Sequence, residues 1–269
     1  SGIISSINRK LTTMGSVFQI DAAVNSGNSG GPMIDKNNKV QAIVFAGMLQ
    51  YQGLNFAIPV EYLKQELALL YKGEEVKHSW LGAYGHTKRI RNNSEGLEVQ
   101  YVMPGGSASY TGLEIEDLLI SADGKNISTL EDFQILCMKY EPGTIINGTI
   151  LHYGQKKDVL LYLDKRPEAP LKLIFESDFV DDSFIPIFGI KMVRSSTINK
   201  KSYRIEYVLE GSVADQNSFS ENDNLELLDV QFDDVNNVFY AVIQIERRKK
   251  GLLKIQIGLG TSYDNPNYF

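Results

Sequence analysis

Asp21-Ala22-Ala23-Val24-Asn25-Ser26-Gly27-Asn28-Ser29-Gly30-Gly31-Pro32 is the stretch on which the reading of this chain turns. At average usage, its central Gly-Asn-Ser-Gly-Gly should arise by chance on the order of once in several thousand chains of this length. Chemistry explains the glycines. A serine hydroxyl attacking a carbonyl needs two backbone N–H groups aimed at the oxygen that becomes negative, in a loop without bulky side chains. Ser29 is the candidate nucleophile, the N–H groups of Gly27 and Ser29 are the candidate donors, and Asn28 lies between them. Gly30 and Gly31 let the chain turn away behind the hydroxyl and let a substrate backbone approach.

Outward from this loop the pattern is short β runs: Gly2 to Ile7, Ser16 to Ile20, Pro32 to Asp35, Val40 to Ala46 and Leu54 to Ile58, with a turn at Lys36-Asn37-Asn38-Lys39. At Pro59 the period changes. Val60, Leu63, Leu67 and Leu70 recur at helical spacing up to Gly73, which predicts a helix of about three to four turns.

The Asp-Ala-Ala before the serine loop and Phe56-Ala57-Ile58-Pro59 after it, at their spacing, resemble the HtrA/Deg family of trypsin-fold serine proteases, the DegP-like group. The resemblance implies a mainly β chain: a partial trypsin-like β-barrel (the second barrel, with its helix) over 1–73, followed by α+β PDZ-like modules over 78–166 and 171–269. It implies Ser29 as nucleophile with Gly27 in the oxyanion hole. Asn28 is uncharged where digestive members carry Asp, so it implies activation by loop rearrangement rather than zymogen cleavage. By position it makes Ala23, Phe45, Ala46, Asn55 and Ala57 walls of the S1 pocket. None is acidic, which favours a small or medium aliphatic P1 residue.

A serine hydroxyl also needs a base, and in this fold the His and Asp precede the serine. No His precedes Ser29; His78, His86 and His152 all lie outside the barrel and read as ordinary surface or loop residues. Asp21 sits in the nucleophile's own segment, where the family has a structural Asp. The chain by itself is therefore expected to lack peptidase activity. The abrupt opening Ser1-Gly2-Ile3-Ile4 reads as mid-domain strand.

Residues 80–165 and 185–260 read as distant copies of one unit. Leu81-Gly82-Ala83-Tyr84 answers to Phe188-Gly189-Ile190-Lys191, and Tyr101 to Ala108 answers to Tyr207 to Ala214, with Lys165 to Pro170 as a stiff connector. A PDZ domain adds an extended peptide to a sheet edge beside a loop of backbone N–H groups. Trp80-Leu81-Gly82-Ala83 fits that loop in the first copy; Phe188, Gly189 and Ile190 stand there in the second, whose peptide binding is in doubt. Thr129 to Tyr140, with Leu130, Phe133, Leu136 and Cys137 on one face, is the expected groove helix. In the second copy Asp233-Asp234-Val235-Asn236-Asn237 stands where such a helix belongs.

A formal charge of -6 argues against nucleic acid as main partner. Arg247-Arg248-Lys249-Lys250 reads as a solvated hairpin end, and the cluster Asp178, Asp181, Asp182 as solvated too. Cys137 is the only cysteine, which excludes an internal disulfide and a Cys-based metal site. No apolar run spans a membrane, and neither cofactor nor Walker-type loop is indicated. The family resemblance implies unfolded polypeptides and C-terminal peptides as partners, a homotrimer or higher oligomer, a place in the periplasm or cell envelope, and protein quality control as the role of the intact endopeptidase. The alternative is a non-catalytic PDZ scaffold or pseudoprotease.

Overall fold

The structure, a computed structural model, describes the chain except residues 13–14, 48–53, 74–75, 179, 181, 196–200 and 249–251, and except the side chains at 8, 10–12, 15, 46–47, 247–248 and 252–253. Alternating apolar residues in the first segment form β1 (Ile4–Thr12), β2 (Gly15–Ile20), β3 (Pro32–Ile34), β4 (Val40–Gly47) and β5 (Asn55–Pro59). They make one antiparallel sheet in the order β1-β2-β5-β4-β3. Its edges, β1 and β3, do not pair, so the sheet stays open. Ile20, Ala42, Val44 and Ala57 form its small core, with Val24 and Met33 packed against them.

Helix α1 (Val60–Lys72) starts directly after Pro59 and stops at Gly73, whose φ of 68° is the left-handed conformation glycine accepts most readily. The apolar stripe expected on it is only partly used: Leu63 and Leu67 are half-buried and Leu70 is exposed. Its buried residues are Val60 and Tyr62. The helix packs on β4 and β5, and its Tyr62 hydroxyl donates to Glu131 of the following unit at 2.7 Å.

That unit holds β6 (Ser79–Trp80), β7 (Ala83–Ile90), β8 (Asn93–Val102), the short α2 (Ser107–Tyr110), β9 (Leu118–Ala122), β10 (Lys125–Asn126), α3 (Leu130–Cys137), β11 (Thr144–His152) and β12 (Gln155–Lys165). The sheet runs β6-β12-β11-β9-β8-β7, with β10 beside β9. Helix α3 is shorter than expected but begins as the sequence predicts. The Thr129 hydroxyl accepts from Asp132 N–H and the Asp132 carboxylate accepts from Thr129 N–H, a reciprocal cap. All four residues of its predicted apolar face are buried.

The last unit holds α4 (Pro170–Asp178), α5 (Phe184–Phe188), β13 (Ile190–Arg194), β14 (Ser202–Val208), α6 (Val213–Gln216), β15 (Asn224–Asp233), β16 (Val238–Arg248) and β17 (Leu252–Ser262). Its five strands lie in sequential order. The rings of Phe175, Phe232 and Phe239 pack edge-on or tilted, with centroids 5.0–5.6 Å apart, in its core. Residues 234–237 form the turn between β15 and β16, so no groove helix stands there, and Arg247 and Arg248 end β16, paired with Leu253 and Leu252 of β17. Asp182 is ion-paired with Lys191, while Asp181 and residues 249–251 lie outside the described residues.

Candidate active site and peptide groove

The serine loop is an exposed turn, not a helix. Gly27 and Gly30 take φ of 98° and 83°, conformations that side chains with a Cβ rarely adopt. Asn28 N–H donates to Asn25 O at 3.0 Å, Gly31 N–H to Asn28 O at 3.0 Å and Gly30 N–H to Val44 O at 2.7 Å, so the loop is tied to β4 behind the serine. The N–H groups of Gly27 and Ser29 donate to nothing among the described residues. Two amides are thus left without internal partners on either side of Asn28. Asp21 is used structurally: its carboxylate accepts from Ile3 N–H at 2.7 Å and ties the loop's start to β1.

An open concavity in front of the sheet is lined by Ala23, Gly27, Asn28 and Gly31 together with Ile20, Met33 and Val44. Of the residues expected around S1, it includes Ala23 alone. Ala57 is fully buried in the sheet core, and Asn55 is buried with its amide donating to Ala22 O at 2.8 Å. Phe45 is half-buried on β4, and the side chain of Ala46 lies outside those described. No His or Asp hydrogen-bonds Ser29 among the described residues. The three histidines belong to the second unit, and the ring of His152, at the end of β11, pairs with the buried carboxylate of Asp117 at 2.7 Å.

In the second unit Gly82 has φ 78° and its carbonyl accepts from Met103 N–H at 3.0 Å. Leu81 O accepts from Ala108 N–H and from the Ser107 hydroxyl. These bonds fix the Trp80–Ala83 loop between β8 and α2, with Trp80, Leu81 and Ala83 all buried. The loop delivers the chain into β7, an edge strand flanked by α3. In the third unit Gly189 repeats φ 78° and accepts from Leu209 N–H at 2.8 Å, but Phe188 and Ile190 are sealed in the core, Phe188 against Phe184 and Phe239.

Three features lie outside what the sequence reading found. Glu131, at the start of α3, accepts from the Ser16 amide and hydroxyl and from Tyr62. Arg166, in the connector, bonds Tyr268 O and Asp264. Helix α4 could have been found from Leu171, Ile174 and Phe175 behind Pro170, a helical spacing with a first-turn proline.

The trypsin family model matches residues 3–66, and a model described as the TP0546 family PDZ domain matches residues 171–263. Among curated proteins, a probable periplasmic serine endoprotease DegP-like of Bartonella henselae is 31% identical over 180 residues, covering 62% of this chain and 36% of the relative. An alignment of that length cannot be confined to the first sheet. The HtrA-type protease AlgW, solved with a tripeptide, matches with a TM-score of 0.52 at 28% identity, covering 62% of this chain and 60% of that one. This chain is an HtrA/DegP-family protein. A putative serine protease HhoB of Synechocystis is 30% identical over 154 residues, 49% of this chain and 37% of the relative. The HtrA/DegP-family chain thus spans between a third and two fifths of the length of these two curated relatives. Its trypsin-like segment and PDZ modules agree with the expected fold class, and the PDZ match falls on the copy whose sequence departs most from the pattern.

Proposed function

We propose that this chain carries the nucleophile half of a trypsin-fold serine endopeptidase, with Ser29 as nucleophile and Gly27 and Ser29 N–H as oxyanion donors. The observation that carries the reading is the pair of unpartnered amides beside an exposed serine, in a glycine loop whose Gly30 N–H is tied to β4 and whose Asn28 and Gly31 N–H groups close turns within the loop. An alkoxide forming at a scissile carbonyl would be met by two aimed dipoles, an arrangement worth about 3 to 4 kcal/mol of barrier per donor in working hydrolases. The base and its orienting carboxylate come from other parts of the whole protein, whose substrates are unfolded polypeptides, whose assembly is a trimer or larger and whose place is the periplasm.

The chain alone is inactive on this reading, because Ser29 lacks a base. A fluorescent serine-reactive phosphonate tests both halves. It should label the full-length protein, lose that labelling with Ser29→Ala, and leave the 269-residue chain unlabelled. Strong Ser29-dependent labelling of the chain, or cleavage of unfolded casein by it, would contradict the inactivity. No labelling of the full-length protein would favour the non-catalytic scaffold, for which the built loop at Trp80–Ala83 and helix α3 speak. Under either reading, the first PDZ module takes an extended peptide along β7 and against α3.

A further inference from the structure

We propose that residues Asp264–Phe269 are an intramolecular ligand of the first module's groove, which an extended peptide must displace. This rests on reading β7 and α3 as the peptide groove. Residues 267–269 lie antiparallel on the outer edge of β7. Ala83 N–H donates to Phe269 O at 3.0 Å, Phe269 N–H donates to Ala83 O at 2.9 Å, Gly85 N–H donates to Asn267 O at 3.1 Å, and Tyr84 bridges Tyr268. The pairing begins one residue after Gly82, where the loop opens onto the edge. This is strand addition, the way an extended peptide is held by a sheet.

Side chains alternate along the added strand, so Phe269 and Tyr268 face opposite ways. Phe269 enters the space between β7 and α3, meets Phe133 edge-on at 5.6 Å and is 2% exposed. A Cβ at Gly85 would strike the Glu98 backbone carbonyl of β8 first and would also stand 3.0 Å from the Phe269 ring. Gln134 of α3 donates to Pro266 O at 2.6 Å. Tyr268 points the other way, fully buried among Trp80, Tyr84, Tyr101 and Met103 of the first module and Ile174 of α4. Arg166 closes the arrangement from the connector, donating to Tyr268 O at 3.1 Å and to the Asp264 carboxylate at 2.7 Å.

The tether is short. Tyr263 is anchored in the second module, its N–H to Asn237 O and its carbonyl to Leu171 N–H. A ligand held by so short a linker competes at an effective concentration of order millimolar. A free peptide binding the same edge therefore has to exchange against it, and its apparent affinity falls. The second module, which has no groove helix of its own, presents the plug for the first.

Fluorescence anisotropy with a labelled peptide of the sequence Tyr263 to Phe269 tests this. The chain ending at Asp264 should bind the peptide at least about tenfold more tightly than the intact chain. Equal binding by both forms would overturn the self-occupied groove and leave the groove reading standing. No binding by either form would overturn both. Should the shortened chain fail to fold, Phe269→Ala in the full chain replaces it, with tighter peptide binding than the parent expected and unchanged binding overturning the proposal. Amide exchange gives an independent check: Ala83 and Gly85 N–H should be protected in the intact chain and exchange at least about tenfold faster in Phe269→Ala.

Discussion

The two PDZ modules share one backbone plan down to individual hydrogen bonds. Val99 N–H donates to Asp117 O and Glu116 N–H to Val99 O in the first; Ile205 N–H donates to Asp223 O and Asn222 N–H to Ile205 O in the second. Glu116 and Asn222 both take positive φ, and the Asp117 and Asp223 carboxylates accept from Glu114 and Ser220 N–H respectively. Yet, among the described residues, only in the first does a helix with a side-chain N-cap lie beside the edge strand, and only there does a further strand sit on that edge. The second fills the corresponding loop with Phe184–Phe188 and grows its sheet into long β15, β16 and β17. A repeated scaffold keeps its turns and its glycine, while its chemistry depends on what is laid against the edge.

The two equivalent glycines offer the widest separation between the modules. Gly82 and Gly189 share φ 78°, so alanine at either meets left-handed strain of about 1 to 2 kcal/mol. Their surroundings differ. A Cβ on Gly82 would find Ser107 at 3.5 Å, ordinary contact, whereas on Gly189 it would fall 2.2 Å from Ser212 Cβ. Overpacking adds about 1 to 3 kcal/mol there. Gly189→Ala should therefore cost about 2 to 5 kcal/mol and Gly82→Ala about 1 to 2, read from urea midpoints. Equal costs would mean that the second loop is not the tighter one. Ser212→Gly should recover part of the loss in Gly189→Ala and nothing in Gly82→Ala.

Next in size is the link from the groove helix to the serine-bearing sheet, which has no counterpart in the second module. The Glu131 carboxylate takes hydrogen bonds from Ser16 and Tyr62, both buried. Burial, with the Glu131 partner second, pushes the Tyr62 phenol well above its ordinary range, so it stays a donor at all ordinary pH. Glu131→Ala strands these donors and should cost about 1 to 3 kcal/mol. Glu131→Gln, which keeps an acceptor, should cost less, and hydrogen exchange should place the loss at β2 and α1 rather than in the second module. Thr129→Ala, removing the cap of α3, should cost about 1 kcal/mol and loosen the groove while leaving the second module's exchange unchanged.

What could be read from sequence was local. The Ser29 loop announces itself through glycines that take positive φ, α1 through a period of 3.6 ended by Gly73, and α3 through the apolar face that follows Thr129. The repeat was legible because Gly82 and Gly189 each fix a turn that recurs. What escaped depends on partners far along the chain: Ser16 meets Glu131 across 115 residues and Arg166 meets Asp264 across 98. No local pattern encodes such a pair. Strand position alone likewise does not say which face of an open sheet a residue such as Ala57 occupies. The aromatic pair Tyr268-Phe269 after Asn265-Pro266-Asn267 was a signal of a kind, an apolar end beyond the last strand, but nothing in it names β7.

The smallest effect separates the modules by pH, because all three histidines lie in the first. His78 borders a small cavity shared with Gln134, Cys137, Arg166, Tyr268 and Phe269. Burial, and then the positive charge of Arg166, hold its imidazole below the ordinary 6.5. The Cys137 thiol, pushed up to about 12 by burial, and the Tyr268 phenol, which burial holds well above its ordinary range, stay neutral across the window. An unfolded chain therefore binds a proton that the folded one resists. Stability contributed by neutral His78 is present above pH 6.5 and is lost as pH falls below it. Amide exchange at Ala83 and Gly85 should accelerate with acid relative to base-catalysed expectation, and His78→Gln should flatten that dependence while leaving the amides of β13 unaffected. A profile unchanged by His78→Gln would show that the groove's pH response, if any, comes from elsewhere, and that the cavity beside Arg166 tolerates a second positive charge.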